Sequence, residues 1–382
     1  MIPRTAEPTL RELAKGYPVL ALTGPRQSGK TTLARAVFSD HPYVTLENPV
    51  QREFAHSDPQ GFLNKYADGV IIDEAQRCPE LFAWLQGVVD QQQRAGHFIL
   101  TGSQQFGLMT GITQSLAGRV ALLNLLPFSA SELRQVGLLA PTLDEAIFKG
   151  SYPPVYDRQL DPGIWYANYV QTYVERDVRQ LINVRDLGQF QRFLRLCAGR
   201  TGQLLNLSAL GDDAGLSHNT AREWISVLEA SYIIHRLPPQ HQNFNKRLVK
   251  TPKLYFHDTG LAAWLLGIES PAQLSSHPLR GALFETWVVA DYLKQRLNSA
   301  RPSNLSFWRD RSGHEVDLLV EQGGKLTAIE IKSGATPGKD ATRGLDQWRG
   351  LAGDQAAPSV LVYGGDEAQS RGDINIVPWK AL

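Results

Sequence analysis

The sequence predicts an α/β protein with two sheet-containing regions and a mostly helical segment between them. Short apolar runs alternate with helical patterns over the first 130 residues, and apolar residues recur at helical spacing from about residue 140 to 270. After residue 280, a helix precedes a second group of apolar runs. Apolar strands that alternate with helices are typical of a parallel sheet covered by helices on both faces.

The elements follow each other in a regular order. In the N-terminal region we expect strands at 19–23, 43–46, 69–73, 98–101 and 121–126, and helices at 30–38 and 81–93. Near the C-terminus we expect a helix at 281–297 and strands at 305–308, 315–320, 326–332 and 359–363. The Pro- and Ser-containing segment 271–280 predicts a linker. The predicted domains therefore span residues 1–135, 136–200, 201–270 and 279–382.

Composition excludes several classes of protein. The 382 residues include 39 Lys and Arg and 38 Asp and Glu, so a wholly basic nucleic-acid coat is excluded. Cys78 and Cys197 are too few for a disulfide framework or a thiolate zinc site, and they suit a reducing compartment. No apolar run approaches the roughly 20 residues of a membrane span, and the first residues, which mix charges and Pro, are not expected to act as a signal peptide. We expect a cytoplasmic protein with no membrane partner.

The segment Gly24-Pro25-Arg26-Gln27-Ser28-Gly29-Lys30-Thr31 fits the P-loop pattern G-x4-G-K-[ST]. It joins a predicted strand to a predicted helix, where backbone N–H groups and the helix N-terminus can hold a polyphosphate. Lys30 is expected to contact the β- and γ-phosphates, and Thr31 to bind Mg²⁺. The predicted site for ATP comprises Gly24, Pro25, Arg26, Gln27, Ser28, Gly29, Lys30, Thr31, Thr32, Asp73 and Ser103.

Polar residues follow the third and fourth strands. Asp73 is expected to hold Mg²⁺, and Glu74 to act as the general base that activates water, although Glu74 can instead be a helix N-cap. At the end of the fourth strand, Thr101 or Ser103 can position that water, contact the γ-phosphate or simply cap the strand. Arg119, before the fifth strand, is expected to be an arginine finger that acts on a neighbouring copy in a homo-oligomer, or else an ordinary surface arginine.

Several segments resemble the AAA-type ATP-binding proteins of bacteria and archaea, among them GPRQSGKTTL, VIIDEAQRCPEL, ILTGSQQF and LAGRVALLNLLPFSASEL. The similarity extends over nearly the whole chain, through GSYPPVYDR and KTPKLYFHDTGLAAWLLG. It implies an ATPase core, a helical and winged-helix middle and a C-terminal domain similar to restriction-endonuclease-type nucleases. The usual Gly-Ala-Arg lid motif is not recognisable, and Arg176 is the best substitute for a lid arginine.

Residues 207–224 are typical of a helix-turn-helix in which Ser217 caps the second helix. Asn219 and Arg222 on that helix are expected to reach base edges of DNA. The following segment, 230–257, contains no acidic residue and is expected to form a wing that contacts phosphates. Its predicted contact residues are Lys246, Arg247, Lys250 and Lys253. The alternative is a protein-binding module with a solvated basic stretch.

The C-terminal region contains a second group of acidic residues. A hairpin turn at Gly323-Gly324 places Asp317 opposite Glu330 on the same face of the sheet. Facing carboxylates predict a cation between them, and Mg²⁺ or Mn²⁺ suits carboxylate oxygens. Lys332 is expected to orient water or stabilise charge, and Glu285 to complete the metal shell. The arrangement resembles the PD-(D/E)-x-K nucleases, with Val-Asp in place of Pro-Asp. The alternatives are an ordinary Glu–Lys pair and a fold kept as a scaffold.

These features lead to an expected function and its alternatives. The first is a Mg²⁺-dependent ATPase that couples ATP turnover to DNA binding or remodelling, with a C-terminal domain that cuts nucleic acid. The second is a nucleotide-switched regulator, for example in defence or a toxin–antitoxin pair, whose C-terminal domain binds without cutting. The third is a chaperone-like remodeller of proteins. Stimulation of ATP hydrolysis by DNA separates the first from the third.

Overall fold

The computed structural model describes residues 2–92, 94–103, 105–174, 186–240, 249–310, 312–338 and 341–382. The chain divides into two compact units. The first comprises Met1–Phe128, Ala230–Tyr232 and Lys294–Pro302, and the second comprises Ser129–Glu229, Ile233–Leu293 and Ser303–Leu382. No helix in the described ranges has both the length and the apolar content needed to cross a bilayer.

The first unit is built on a parallel sheet. Its strands are β1 (Val19–Thr23), β2 (Tyr43–Thr45), β3 (Val70–Asp73), β4 (Phe98–Gly102) and β5 (Val120–Asn124). Their order among the described residues is β2-β3-β4-β1-β5, and every neighbouring pair is parallel. The predicted parallel sheet is confirmed. The carboxyl ends of β1, β3 and β4 lie along one edge, because parallel strands point the same way.

Helices cover both faces of this sheet. They are α1 (Glu7–Gly16), α2 (Lys30–Val37), α3 (Pro49–Ser57), α4 (Pro59–Asn64), α5 (Leu81–Gln92) and α6 (Gln105–Ser115). Side chains alternate between faces along a strand. Leu20 therefore packs in one buried cluster with Leu33 of α2, whereas Val19 packs in another with Phe82 of α5. The two clusters confirm the predicted covering of both faces.

The second unit begins with helices. They are α7 (Ala130–Gln135), α8 (Leu143–Lys149), α9 (Pro153–Asp157), α10 (Pro162–Tyr169), a π-helical turn (Val170–Val174), α11 (Leu187–Ala198), α12 (Leu207–Ala214) and α13 (His218–Ala230). Gly215 ends α12 in the left-handed conformation, at φ 69°. Ser217 then starts α13, since its Oγ accepts from the backbone N–H of Thr220 at 3.1 Å. The two predicted helices and their turn are present.

An antiparallel pair of strands, β6 (Ile234–Leu237) and β7 (Lys253–Phe256), follows α13. Next come the helices α14 (Thr259–Leu265), α15 (Pro271–Leu274) and α16 (Arg280–Asn298). Helix α15 lies where the sequence predicts a linker. Pro271 starts this helix, and proline is favoured at a first helical position because it needs no N–H partner there.

The last part of the second unit is a mixed sheet covered by one more helix. The strands are β8 (Leu305–Arg309), β9 (Glu315–Gln322), β10 (Lys325–Lys332), β11 (Ser359–Tyr363), β12 (Gln369–Arg371) and β13 (Ile374–Pro378), in the order β12-β13-β11-β10-β9-β8 among the described residues. Helix α17 (Arg343–Ala352) packs Leu345 and Trp348 into the sheet's buried cluster. Strands β9 and β10 pair from Gln322 with Lys325 to Leu318 with Ile329, which confirms the predicted hairpin register.

Candidate nucleotide site and carboxylate cluster

The turn between β1 and α2 forms a closely packed loop. A Cβ atom on Gly24 would lie 2.1 Å from the carbonyl oxygen of Leu125, so only glycine fits there. Gly29 has φ 95° and precedes the first residue of α2. Glycine adopts that left-handed conformation without steric cost. These two positions explain why the chain can turn sharply and bring the loop in front of the α2 N-terminus.

Lys30 lies inside this loop. Its side chain is buried, and its Nζ donates to the carbonyl oxygens of Gly24, at 2.9 Å, and Pro25, at 2.7 Å. The Ser28 hydroxyl is also buried, and its Oγ has no hydrogen-bond partner among the described residues. A buried ammonium group and an unsatisfied hydroxyl in one loop fit an anionic oxygen ligand such as a phosphate.

The other predicted loop residues have different environments. Pro25 is buried, whereas Thr32 is exposed on the first turn of α2. Arg26 directs Nη1 to Glu47 Oε1 at 3.4 Å. Gln27 has a positive φ of 61°, which is uncommon for a residue other than glycine. The structure brings the whole predicted segment into one turn, with Lys30 inside it and Thr32 on its outer surface.

Asp73, at the end of β3, is held by hydroxyl groups from three strands or helices. Its Oδ1 accepts from Thr31 Oγ1 at 2.8 Å and from the Thr101 hydroxyl, and its Oδ2 accepts from the Tyr43 hydroxyl at 3.0 Å. Burial and the neighbouring Asp73 charge raise the pKa of Tyr43 to about 12. Asp73 therefore faces Thr31, and a hydroxyl beside a carboxylate is the donor set that Mg²⁺ uses in P-loop proteins.

Glu74 has a strained backbone and a fixed side chain. Its φ is 53°, in the left-handed region that non-glycine residues rarely adopt, and such strain is concentrated at functional sites. Its Oε2 accepts from Ser103 Oγ at 3.0 Å and from the Gln76 side-chain amide. No side-chain capping bond starts the short 3-10 turn that follows Glu74. Glu74 thus occupies the N-cap position of this turn without using its side chain as a cap, and Ser103 donates to its carboxylate instead.

The second unit holds a cluster of carboxylates around a buried lysine. Lys253, the first residue of β7, places its Nζ 2.8 Å from Glu285 Oε1 of α16 and also pairs with Glu315 of β9. The Tyr255 hydroxyl donates to the same Glu285 carboxylate. Burial alone would lower the pKa of Lys253, but Glu285, Asp317 and Glu315 outweigh it and raise the pKa above its ordinary value. Lys253 is therefore a charged ammonium group.

Asp317 and Glu330 form the other part of the cluster. Asp317 Oδ2 accepts from the backbone N–H of Ile331 at 2.9 Å, and Glu330 Oε1 accepts from Lys332 Nζ. Glu330 Oε2 is buried and has no hydrogen-bond partner among the described residues. Burial, and then repulsion by Asp317, raises the pKa of Glu330 to about 7. The structure thus brings Glu285, Asp317, Glu330 and Lys332 together, as the sequence predicts.

Comparison with known proteins places the chain in a family. Residues 16–134 match the family described as AAA domain, and residues 140–272 and 280–382 match two domains of unknown function, DUF8612 and DUF4143. The chain is 34% identical over 367 residues to the uncharacterised proteins Rv2008c of Mycobacterium tuberculosis and Mb2031c of Mycobacterium bovis, covering 95% of this chain and 80% of each relative. This chain belongs to the same family as these mycobacterial proteins, and its residues 16–134 match an AAA domain.

Two solved structures match part of the chain at low sequence identity. The Walker-type ATPase PABY2304 of Pyrococcus abyssi has a TM-score of 0.47 and 18% identity, covering 69% of this chain and 96% of that one. The RuvB Holliday junction branch migration motor of Thermotoga maritima has a TM-score of 0.30 and 22% identity, covering 61% of this chain and 89% of that one.

Arg119 of the AAA domain is engaged within its own chain. Its Nε and Nη2 both donate to the Asp90 carboxylate, and its Nη1 donates to the carbonyl oxygen of Ala117 at 3.1 Å. The side chain is one-third exposed. This bidentate ion pair between Arg119 and Asp90 favours an ordinary surface arginine over an arginine finger. Arg176, the predicted lid arginine, lies outside the described residues.

Two residues beside the P-loop of the AAA domain are not predicted by the sequence. Buried Arg4 donates from Nη1 to the Ser28 carbonyl oxygen and from Nη2 to that of Leu126, both at 2.7 Å. The Tyr232 hydroxyl lies 2.8 Å from Oγ1 of Thr23, the residue before the loop. Both contacts join residues far apart in the chain, so no local pattern signals them.

The residues predicted to contact nucleic acid differ from one another in their exposure. Asn219, Arg222 and Lys250 are exposed, whereas Lys246 and Arg247 lie outside the described residues. The prediction for Lys253 is wrong, because its side chain is only 3% exposed and its ammonium group is paired with Glu285 and Glu315. Arg236, in the same acid-free segment, is paired with Glu229. The segment lacks acids in sequence, but tertiary contacts supply them.

Proposed function

We propose that this AAA-type protein binds ATP with Mg²⁺ and hydrolyses it. The observation that supports this most is the contact between Thr31 and Asp73, which pairs the P-loop hydroxyl with the carboxylate at the end of β3. The family implies a nucleotide site, and the buried Lys30 ammonium group and the unpartnered Ser28 hydroxyl fit phosphate oxygens. The direct test is phosphate release from ATP, measured with and without Mg²⁺.

Each residue has a definite part in this proposal. Thr31 and Asp73 would hold Mg²⁺, which when bound offsets the charge of the β- and γ-phosphates. Lys30 exchanges its bonds to the Gly24 and Pro25 carbonyl oxygens for bonds to phosphate oxygens, which are stronger because both partners are charged. Glu74, held by Ser103, accepts the proton of the attacking water.

We further propose that ATP turnover is coupled to DNA binding through α13. Asn219 and Arg222 are exposed on the first turns of this helix, and Ser217 fixes where it begins. The strand pair β6–β7 follows the helix, in the order of a helix-turn-helix with a wing. Such residues near the start of a recognition helix are placed to contact base edges and phosphates.

Removing Asn219 and Arg222 together should weaken DNA binding and abolish stimulation of ATPase activity by DNA. Two lost contacts of about 1–3 kcal/mol each predict a fall in DNA affinity of about 30-fold or more. Fluorescence anisotropy with duplex DNA and phosphate release with and without DNA measure the two effects. Arg195→Ala, which removes an exposed arginine from α11, is the matched control. Equal DNA affinity of both variants and the wild type, or no stimulation at all, contradicts the proposal and favours a nucleotide-switched regulator.

A second candidate function, metal-dependent cleavage of nucleic acid by the C-terminal domain, is favoured by Glu330. One oxygen of this carboxylate is buried without a partner and Asp317 lies nearby, so the donor set fits a hard divalent cation. Asp317 and Glu330 would hold Mg²⁺ or Mn²⁺, which when bound supplies Lewis acidity at a phosphate oxygen. Lys332, half exposed and paired with Glu330, stabilises negative charge that develops on the phosphate.

Asp317→Asn should abolish cleavage of DNA in the presence of Mn²⁺ and leave ATP hydrolysis close to wild type. An amide cannot supply the charged oxygen that the metal needs, and the residue lies in the second unit, whereas Lys30 and Glu74 lie in the first. Cleavage of duplex, single-stranded and branched DNA is followed on gels, with Glu321→Gln as the matched control on the exposed end of β9. Wild-type protein that cuts none of these substrates, or an Asp317→Asn variant that still cuts, rules out this role.

A further inference from the structure

Lys253 is a cation already built into the carboxylate cluster. It comes from β7, whereas the acidic residues come from α16, β9 and β10. We propose that the Lys253 ammonium group takes the place of one metal ion and so confines divalent-cation binding to a single ion at Asp317 and Glu330. This inference rests on the proposed metal site of the C-terminal domain.

Burial and contacts place Lys253 in the interior of the cluster. Its Nζ lies 2.8 Å from Glu285 and is also paired with Glu315, and its side chain is 3% exposed. Lys332 is 48% exposed, and its ammonium group pairs with Glu330. Carboxylates taken out of water need a nearby positive charge, since an uncompensated buried charge is strongly destabilising. The interior carboxylates obtain that charge from Lys253.

The hydrogen bonds divide the acidic residues into two groups. Glu285 Oε1 accepts from both Lys253 and Tyr255, and Glu315 is paired with Lys253 and, at 3.2 Å, with Arg309. These two carboxylates are therefore neutralised by the chain itself. Glu330 differs from them, because its Oε2 is buried without a partner among the described residues. The buried carboxylate oxygen without a partner therefore lies on Glu330, beside Asp317.

This division changes the role expected for Glu285. The sequence predicts Glu285 as a member of the metal shell, but its Oε1 is engaged by the ammonium group and the Tyr255 hydroxyl. A divalent ion bound at Glu285 would lie close to the Lys253 charge and be repelled by it, and the Lys253 side chain is almost fully buried. Glu285 thus positions Lys253, and Lys253 sets the number of ions.

The test is Mn²⁺ binding to nucleotide-free protein, measured by titration calorimetry and by electron paramagnetic resonance of free Mn²⁺. All proteins carry Thr31→Ala and Asp73→Asn, which remove both proposed metal ligands of the ATP site. The wild-type cluster should bind one ion, and Glu330→Gln should bind none. Lys253→Met should bind two ions, because Glu285 and Glu315 lose their cation, and Mn²⁺ should restore its melting temperature. Lys253→Arg keeps the charge and should bind one ion, as should the control Lys250→Met, which alters an exposed lysine.

The outcomes separate the two proposals. If the wild type binds no Mn²⁺, or if Glu330→Gln binds as much as the wild type, the metal site itself is wrong. If the wild type binds one ion and folded Lys253→Met also binds one, the metal site stands and the role of Lys253 is overturned. Failure of Lys253→Met to fold at saturating Mn²⁺ overturns it as well, because the metal should replace the ammonium group.

Discussion

Replacing Glu74 with glutamine is expected to slow ATP hydrolysis by about 10²–10⁴-fold and to leave ATP binding close to wild type, which is the usual effect of removing a general base. Glutamine keeps the size of the side chain and can still accept from Ser103, but it cannot take a proton from water. Glutamine has the same backbone preferences as glutamate, so the left-handed conformation at position 74 is expected to be kept. The change therefore isolates the proton-accepting role.

Single-turnover phosphate release and binding of a fluorescent ATP analogue measure the two quantities separately. Glu53→Gln, an exposed change on α3 of the same unit, is the control for loss of a negative charge. A Glu74→Gln variant that hydrolyses ATP at the wild-type rate shows that Glu74 is not the base. Loss of binding as well as hydrolysis would mean that Glu74 supports the fold of the site.

Lys30→Ala is expected to weaken ATP binding by roughly 10- to 100-fold and to reduce turnover further. A hydrogen bond between charged groups contributes about 1.5–3 kcal/mol, and the lysine also stabilises charge that develops on the phosphate during the reaction. The change also removes the ammonium group that donates to the carbonyl oxygens of both Gly24 and Pro25, so the loop loses these two hydrogen bonds.

Calorimetric titration with a slowly hydrolysed ATP analogue measures the affinity, and steady-state phosphate release measures the turnover. Lys15→Ala, which removes an exposed lysine paired with Glu12 on α1, controls for the loss of a positive charge. Wild-type turnover by Lys30→Ala would remove the basis for assigning this loop to ATP. Circular dichroism before the titration establishes that both variants are folded.

Local patterns predicted much of the fold. The spacing of glycines around Lys30 identifies the loop because backbone geometry leaves few alternatives, and the turn at Gly323 and Gly324 fixes the register of β9 and β10. Strand β12 was not predicted, since its three residues, Gln369–Arg371, are all exposed and carry no apolar signal. The pattern of apolar residues in a sequence indicates which positions are buried. A short strand at the edge of a sheet buries few side chains, so it leaves no such pattern.

Partners distant in sequence could not be predicted. The acid-free stretch around Lys253 predicts a positive surface, but Glu285 and Glu315 approach this lysine from elements 32 or more residues away. The ion-pair partner of Arg119 is also distant in sequence, because Asp90 lies 29 residues earlier. A residue's charge is visible in sequence, whereas its counter-charge depends on how the elements pack.

Arg4 ties the start of the chain to the nucleotide site. Its guanidinium group bridges the carbonyl oxygens of Ser28 and Leu126 and lies 5.0 Å from the centre of the Phe128 ring. One side chain thus connects the P-loop by hydrogen bonds to the segment that follows β5. Proteins are often shortened at the N-terminus before crystallisation. Here, removing the first few residues would delete Arg4 and with it two hydrogen bonds that hold the ATP-binding loop.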